Sequence, residues 1–128
     1  MGLVIDWVIV ECKDVERMSA FWSAALDFEH VRTGPLGGRV LAAKDGSKRR
    51  VAMFPVGETK SGKNRVHFDL RPDDQDVEVR RLELLGASRI DIGQGDVSWV
   101  VMADREGNEF CVLGAMSDED RVAGRWGD

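Results

Sequence analysis

The sequence predicts an α+β fold in which a βαβββ unit occurs twice. Three observations lead there. Residues 4–11 alternate with period two, and residues 15–26 carry apolar side chains at helical spacing. The pattern then restarts with an offset of 60 residues: Trp7 meets His67, Val8 meets Phe68, Val10 meets Leu70, and Asp14 meets Asp74. Between the two copies, PVGETKSGKN at 55–64 has the composition of a loop. The first module spans about 3–55 and the second about 65–114. Together they make a single domain over 1–116, followed by a tail over 117–128.

Each element has a local reason. Val4–Glu11 reads as a strand with Val8 and Val10 on one face and Trp7, Ile9 and Glu11 on the other. Asp14 offers an N-cap. Val15, Met18, Phe21, Trp22, Ala25 and Leu26 form the apolar stripe of a three-turn helix, with Trp22 in the core. Short strands are expected over 28–32, 39–43 and 50–54. They are separated by the glycine-rich turn at 34–38 and the Asp45-Gly46 hairpin signal. His30 is expected at the surface. In the second copy, Val66–Arg71 is a strand ended by Pro72, and Asp74 caps a helix lined by Val79, Leu82 and Leu85. Gly86 is placed just past that helix's end. Strands follow over 88–92, 98–103 and 109–113. In the tail, only Val122 and Trp126 look able to anchor. One face of each half-sheet is covered by its helix. The other carries Trp7, Glu11, His67, Asp69 and Arg71, so the simplest packing curls the two half-sheets around a cleft.

Composition removes several function classes. The chain has 128 residues, 43% hydrophobic and 32% charged, which suits an ordinary globular domain. A net charge of −5 argues against a general nucleic-acid binder. The segment from Arg39 to Arg65 nevertheless holds eight basic residues against two acidic ones, leaving −11 on the rest. That is either a solvated counterweight or a local anion site. No apolar run approaches the ~18 residues of a membrane helix, and Asp6 and Glu11 break up any signal-like segment. The two cysteines have no CxxC spacing. The expected setting is a reducing cytoplasm with both thiols free, and no membrane partner. Gly93-x-Gly95 lacks the rest of a dinucleotide fingerprint, and neither a P-loop nor a serine nucleophile elbow is present.

The stretches VIVECKDVERMSAFW at 8–22, RVHFDLRPDD at 65–74, VRRLELLGA at 79–87 and WVVMADREGNEFCVL at 99–113 resemble the vicinal oxygen chelate superfamily. This is the group of glyoxalase-like and bleomycin-resistance-like domains, and the resemblance covers about residues 4–113. The last stretch is the most specific, although Arg105 stands where the family usually has proline. The resemblance implies a U-shaped sheet enclosing a cleft, and frequently a homodimer. It also implies, for the superfamily's enzymes, one divalent metal held by the first and last strands of each module. Carried across, those positions are Trp7, a residue near Ala52 or Met53, His67, and Cys111, where the metal enzymes usually have glutamate. Trp7, Ala52 and Met53 are not plausible ligands. His67 is then the one residue to expect at a metal, if any is held, with Cys111 and the in-phase Asp69 as weak additions.

Each candidate has a plainer reading beside the functional one. His67 is open to four roles: hydrogen bonding to a ligand, a structural contact, a residual metal ligand, or a general base. Asp69 either orients His67, pairs with Arg71, or is a solvated strand carboxylate. Cys111 reads as a small buried hydrophobe. Trp7 either fills core or stacks on a planar ligand. Trp99 joins the face of Cys111 if the 104–108 connection has five residues, and turns away if it does not. These residues lead to a cofactor-free protein that binds an aromatic or extended small molecule at Trp7, Met53, His67, Asp69, Trp99 and Cys111, with antibiotic sequestration as a role. The alternative is a metal-dependent lyase, isomerase or dioxygenase of the same superfamily. A third reading is a regulatory or assembly scaffold.

Overall fold

In the computed structural model, residues 2–119 are described, and they form two compact units. The first runs to Gly62 and also includes Arg105–Gly107. The second comprises Lys63–Asp104 and continues from Asn108. The anchors expected at Val122 and Trp126 lie outside the described residues.

The first unit contains β1 (Val8–Cys12), α1 (Val15–Leu26), β2 (Phe28–Thr33), β3 (Arg39–Ala43) and β4 (Arg50–Pro55). Its sheet has the order β1-β4-β3-β2, with β1 parallel to β4 and the other pairs antiparallel. Asp14 caps α1 through its side chain, which accepts the Arg17 N–H at 2.9 Å. The two N–H groups just before the helix, those of Lys13 and Asp14, donate to the two carboxylate oxygens of Glu106 at 2.7 and 2.8 Å. An anion at a helix start is favoured by the exposed amides and the helix dipole. At the other end Asp27 adopts a left-handed conformation with φ 54°, and its N–H closes on the Ser23 carbonyl. The middle of the α1 stripe is buried as its spacing predicts, while Val15, Ala25 and Leu26 are half-buried. Met18, Phe21 and Trp22 are enclosed, the two rings meeting edge to face with centroids 5.1 Å apart. His30 is exposed, beside the Thr33 hydroxyl at 3.1 Å.

The second unit repeats the plan with β5 (Asp69–Leu70), α2 (Gln75–Leu84), β6 (Ser88–Arg89), β7 (Val100–Ala103) and β8 (Glu109–Val112). Its sheet order, β5-β8-β7-β6, matches that of the first unit. Asp74 caps α2 by accepting the Val77 N–H. Gly86, at φ 112°, ends it in a Schellman arrangement: its N–H reaches Glu83 O, and the Ala87 N–H reaches Leu82 O. Val79 and Leu82 bury with Met102, Phe110 and Val112 in this unit's core. Gln75 Nε2 donates to the carbonyls of Ser98 and Val112, fastening the helix start to the strands.

The strands are shorter than the alternation suggests, for local reasons. β1 begins at Val8 because its first sheet partner is Val51, and Leu3, Val4 and Ile5 stay exposed. Asp6 engages the Arg50 guanidinium at 2.9 Å instead. β6 stops at Arg89 because the Asp91 carboxylate accepts the Gly93 N–H at 2.8 Å, turning the backbone off the ladder. The glycine-rich turn is tight at Pro35–Gly37: Leu36 (φ 59°) and Gly37 (φ 80°) are both left-handed, and Gly38 N–H donates to Pro35 O at 3.1 Å. There the Phe54 ring lies so close to the backbone that a Cβ on Gly38 would sit 2.7 Å from it. No helix among the described residues is long and apolar enough to cross a membrane.

Candidate functional site

The register converts the repeat into a map of equivalent positions. In the first sheet Ile9 pairs with Ala52; in the second, Asp69 pairs with Cys111. Ile9 and Asp69 are 60 residues apart, so Ala52 is the first unit's counterpart of Cys111. Met53 belongs elsewhere. It pairs with Val10 and Arg39, on the opposite face of the pleat from Ala52, and is fully buried. Met53 therefore shares its face with Val10 and not with Ala52, the counterpart of Cys111. Trp7 lies two residues before Ile9, in phase with Ala52, and is half-buried.

In the second unit, three chemically different donors gather on one face. His67 Nε2 lies 3.1 Å from Asp69 Oδ1. Donor atoms of His67, Asp69 and Cys111 all fall within 4.8 Å of one another. The cause is local. Asp69 and Cys111 are neighbours across the parallel β5–β8 pair, and His67 precedes Asp69 by one pleat repeat. Backbone bonds fix this part of the sheet, with Cys111 N–H donating to Phe68 O and Leu113 N–H to Leu70 O. His67 and Asp69 are exposed, whereas Cys111 is buried. Burial pushes the Cys111 thiol above its ordinary pKa, and the Asp69 charge and a hydrogen bond to Asp69 push it further. Lys63 acts in the opposite sense. Arg71 donates to the Gly114 carbonyl at 2.8 Å.

Trp99 precedes β7. Ala103 pairs with Glu109, so the connection between β7 and β8 has five residues, and Val101 pairs with Cys111. Trp99 lies two residues before Val101, in a bend just outside β7, and is 40% exposed. The connection is closed by Asp104, whose buried carboxylate accepts both the backbone and side-chain N–H groups of Asn108. Arg105 in place of proline leaves this closure intact.

Sequence reasoning did not find Lys63. The 55–64 segment reads as a plain linker, yet Asn64 N–H donates to Glu109 Oε1 and Asn64 Nδ2 to Glu109 O. Those bonds tie the end of the segment to β8 and bring the Lys63 charge to bear on Cys111. No local signal marks a contact 45 residues away.

Residues 7–113 match the glyoxalase-like domain family. The chain belongs to this family. Solved structures with the same fold include a glyoxalase/bleomycin resistance protein/dioxygenase family enzyme from Burkholderia phytofirmans PsJN. It is 20% identical, with TM-score 0.67 over 89% of this chain and 100% of that one. The fosfomycin resistance protein FosX from Mesorhizobium loti is 19% identical, with TM-score 0.65 over 95% and 97%. TnmS3, an antibiotic binding protein from Streptomyces sp. CB03234, is 19% identical, with TM-score 0.65 over 91% and 99%. No curated protein matches the chain.

With the register known, the four-position metal set that the resemblance implies does not fit this glyoxalase-like chain. Trp7 and Ala52 hold the first unit's two positions, and neither an indole nor a methyl group can ligate. What remains is the His67, Asp69 and Cys111 group, drawn entirely from the second unit.

Proposed function

We propose that this glyoxalase-like protein captures an aromatic or extended small molecule, and that its role is antibiotic sequestration. The observation that carries the reading is the pair Trp7 and Ala52 at positions where the superfamily's catalysts would anchor an ion. Support comes from the exposed ring of Trp99, two residues before Val101, the strand neighbour of Cys111, and from the polar groups of His67 and Asp69 in the same unit. Aromatic surface with a few polar anchors is the usual makeup of a small-molecule site. Relatives in fold include an antibiotic binding protein and a fosfomycin resistance protein, which is the same kind of role. The reading also takes the protein to be a homodimer, as the family resemblance implies, in a reducing cytoplasm that suits two buried cysteines with no disulfide between them.

Tryptophan fluorescence titrated with a panel of planar natural products tests it. Saturable quenching is expected for at least one compound, weakened in Trp7→Ala and Trp99→Ala. If no planar compound quenches and both variants behave as the parent, the capture role is wrong.

A second reading is supported by the three-donor group: a metal-dependent lyase, isomerase or dioxygenase acting at His67. Elemental analysis of protein purified without chelator separates the two. A stoichiometric divalent metal that disappears in His67→Ala would reverse the ranking.

A further inference from the structure

The polar groups of the second unit select among small molecules by hydrogen-bond direction. We infer that His67 and Asp69 form an acceptor-only subsite, and that the molecule it takes is an uncharged aryl alcohol whose O–H donates to His67 Nδ1. The inference rests on the proposed capture role and names the chemical class of its ligand.

The direction of each bond follows from the partners. An ionised carboxylate can only accept. The contact between His67 Nε2 and Asp69 Oδ1 at 3.1 Å therefore places the ring hydrogen on Nε2. In the neutral imidazole the other nitrogen is then an acceptor, and Nδ1 has no partner among the described residues. The same carboxylate accepts a hydrogen bond from the Cys111 thiol. Both polar hydrogens of the group are thus held internally, and lone pairs on Nδ1 and the carboxylate are what remain. The two side chains are open enough to be reached, at 40% and 53% exposure. A ligand must bring the hydrogen.

Charge narrows the class further. An aryl carboxylate would meet the Asp69 charge. An ammonium group would meet Lys63, the cation whose charge reaches Cys111. Arg71, further along the strand, is engaged with the Gly114 carbonyl at 2.8 Å. Asp69 and Lys63 offset each other, so a neutral donor enters without a net electrostatic cost. The aryl part matches the exposed ring of Trp99 in the same unit. An aryl O–H is also more acidic than an aliphatic one, which makes it the stronger donor to an imidazole nitrogen.

Equilibrium dialysis of the intact chain at neutral pH tests this with two frameworks, naphthalene and biphenyl. Each is used as the hydrocarbon, the aryl alcohol, its methyl ether, the carboxylate and the aminomethyl compound. The alcohol should bind about tenfold more tightly than the other four on each framework. In His67→Phe, a change at an exposed side chain, the alcohol should fall to the level of the ether. Circular dichroism confirms that the variant is folded. Nitrogen NMR of the imidazole rings, with His67→Phe for assignment, should show the hydrogen of His67 on Nε2. Equal binding of alcohol and ether leaves the capture role standing and overturns this inference. So does tighter binding of the carboxylate or the amine, a preference for the alcohol that survives His67→Phe, or a ring hydrogen found on Nδ1. Binding of no compound on either framework overturns this inference; the capture role itself falls only if the wider natural-product panel is silent as well.

Discussion

Ser19 shows how much a single buried atom can cost. Its hydroxyl is enclosed on α1 with no hydrogen-bond partner among the described residues. An unpaired buried hydroxyl costs on the order of 1–3 kcal/mol relative to water. Ser19→Ala keeps the packing and removes the penalty, so urea unfolding should shift to higher denaturant, by about 1 kcal/mol. Asp104 is the opposite case. Its carboxylate takes three N–H contacts from Asn108, and Asp104→Ala leaves those donors stranded in a part-buried loop. A loss of about 1–3 kcal/mol is expected in the same measurement. Cys111 supplies a pH test. Its thiol pKa is raised in the folded protein, mainly by burial. The native state therefore holds that proton at pH values where the unfolded chain has released it. Its contribution is fully present below the ordinary thiol range, near pH 8.5, and is lost as pH climbs through the raised value. Denaturation midpoints measured from pH 7 to 10 should fall less steeply in Cys111→Ala than in the parent.

At the scale of elements, ends were easier to read than lengths. Asp14, Asp74 and Gly86 stand where caps are needed, and each performs that task in the structure. Gly86→Ala should cost about 1–2 kcal/mol, because an L side chain is strained at φ 112°. Thermal unfolding with an unchanged helix signal would confirm a local cause. Gly38→Ala should cost a similar amount for a different reason, the collision with Phe54. A Gly38→Ala, Phe54→Leu double variant should recover part of the loss. Strand lengths were less legible, because a strand ends where its partner ends. Alternation at 4–7 and 90–92 continues past the residues available to pair with it. The irregularity in β2 between His30 and Arg32 is likewise invisible to pattern counting. That is why Ala52 and Met53 could not be told apart before the β1–β4 register was known. His67, Asp69 and Cys111 could be found, because pleat phase and the 60-residue offset are properties of nearby sequence. Lys63 and Glu106 could not, since each acts on residues far away in the chain.

For the whole molecule, charge gives a clear expectation. The basic stretch from Arg39 to Arg65 reads in the sequence as either a solvated counterweight or a local anion site, and part of it is engaged. Lys44 meets Asp27, Arg49 meets Asp45, and Arg50 meets Asp6. With a net charge of −5 around them, these groups leave little attraction for a polyanion. Gel shift with single-stranded oligonucleotides at physiological salt should show no complex; retention at that salt would mean the remaining cations form a real surface. The repeat was the most informative feature at this scale. It predicted one unit occurring twice, and the two sheets share one strand order.

The three residues Arg105–Gly107 are grouped with the first unit although their neighbours on both sides belong to the second. Although the two halves are built alike, a gene fragment truncated at Gly62 would not be self-sufficient. It would encode every strand of its own sheet and still lack the carboxylate that receives the amides of Lys13 and Asp14. Complementation between separately expressed halves is therefore the way to rebuild this protein from pieces, and neither half should match its behaviour in the intact chain when made alone.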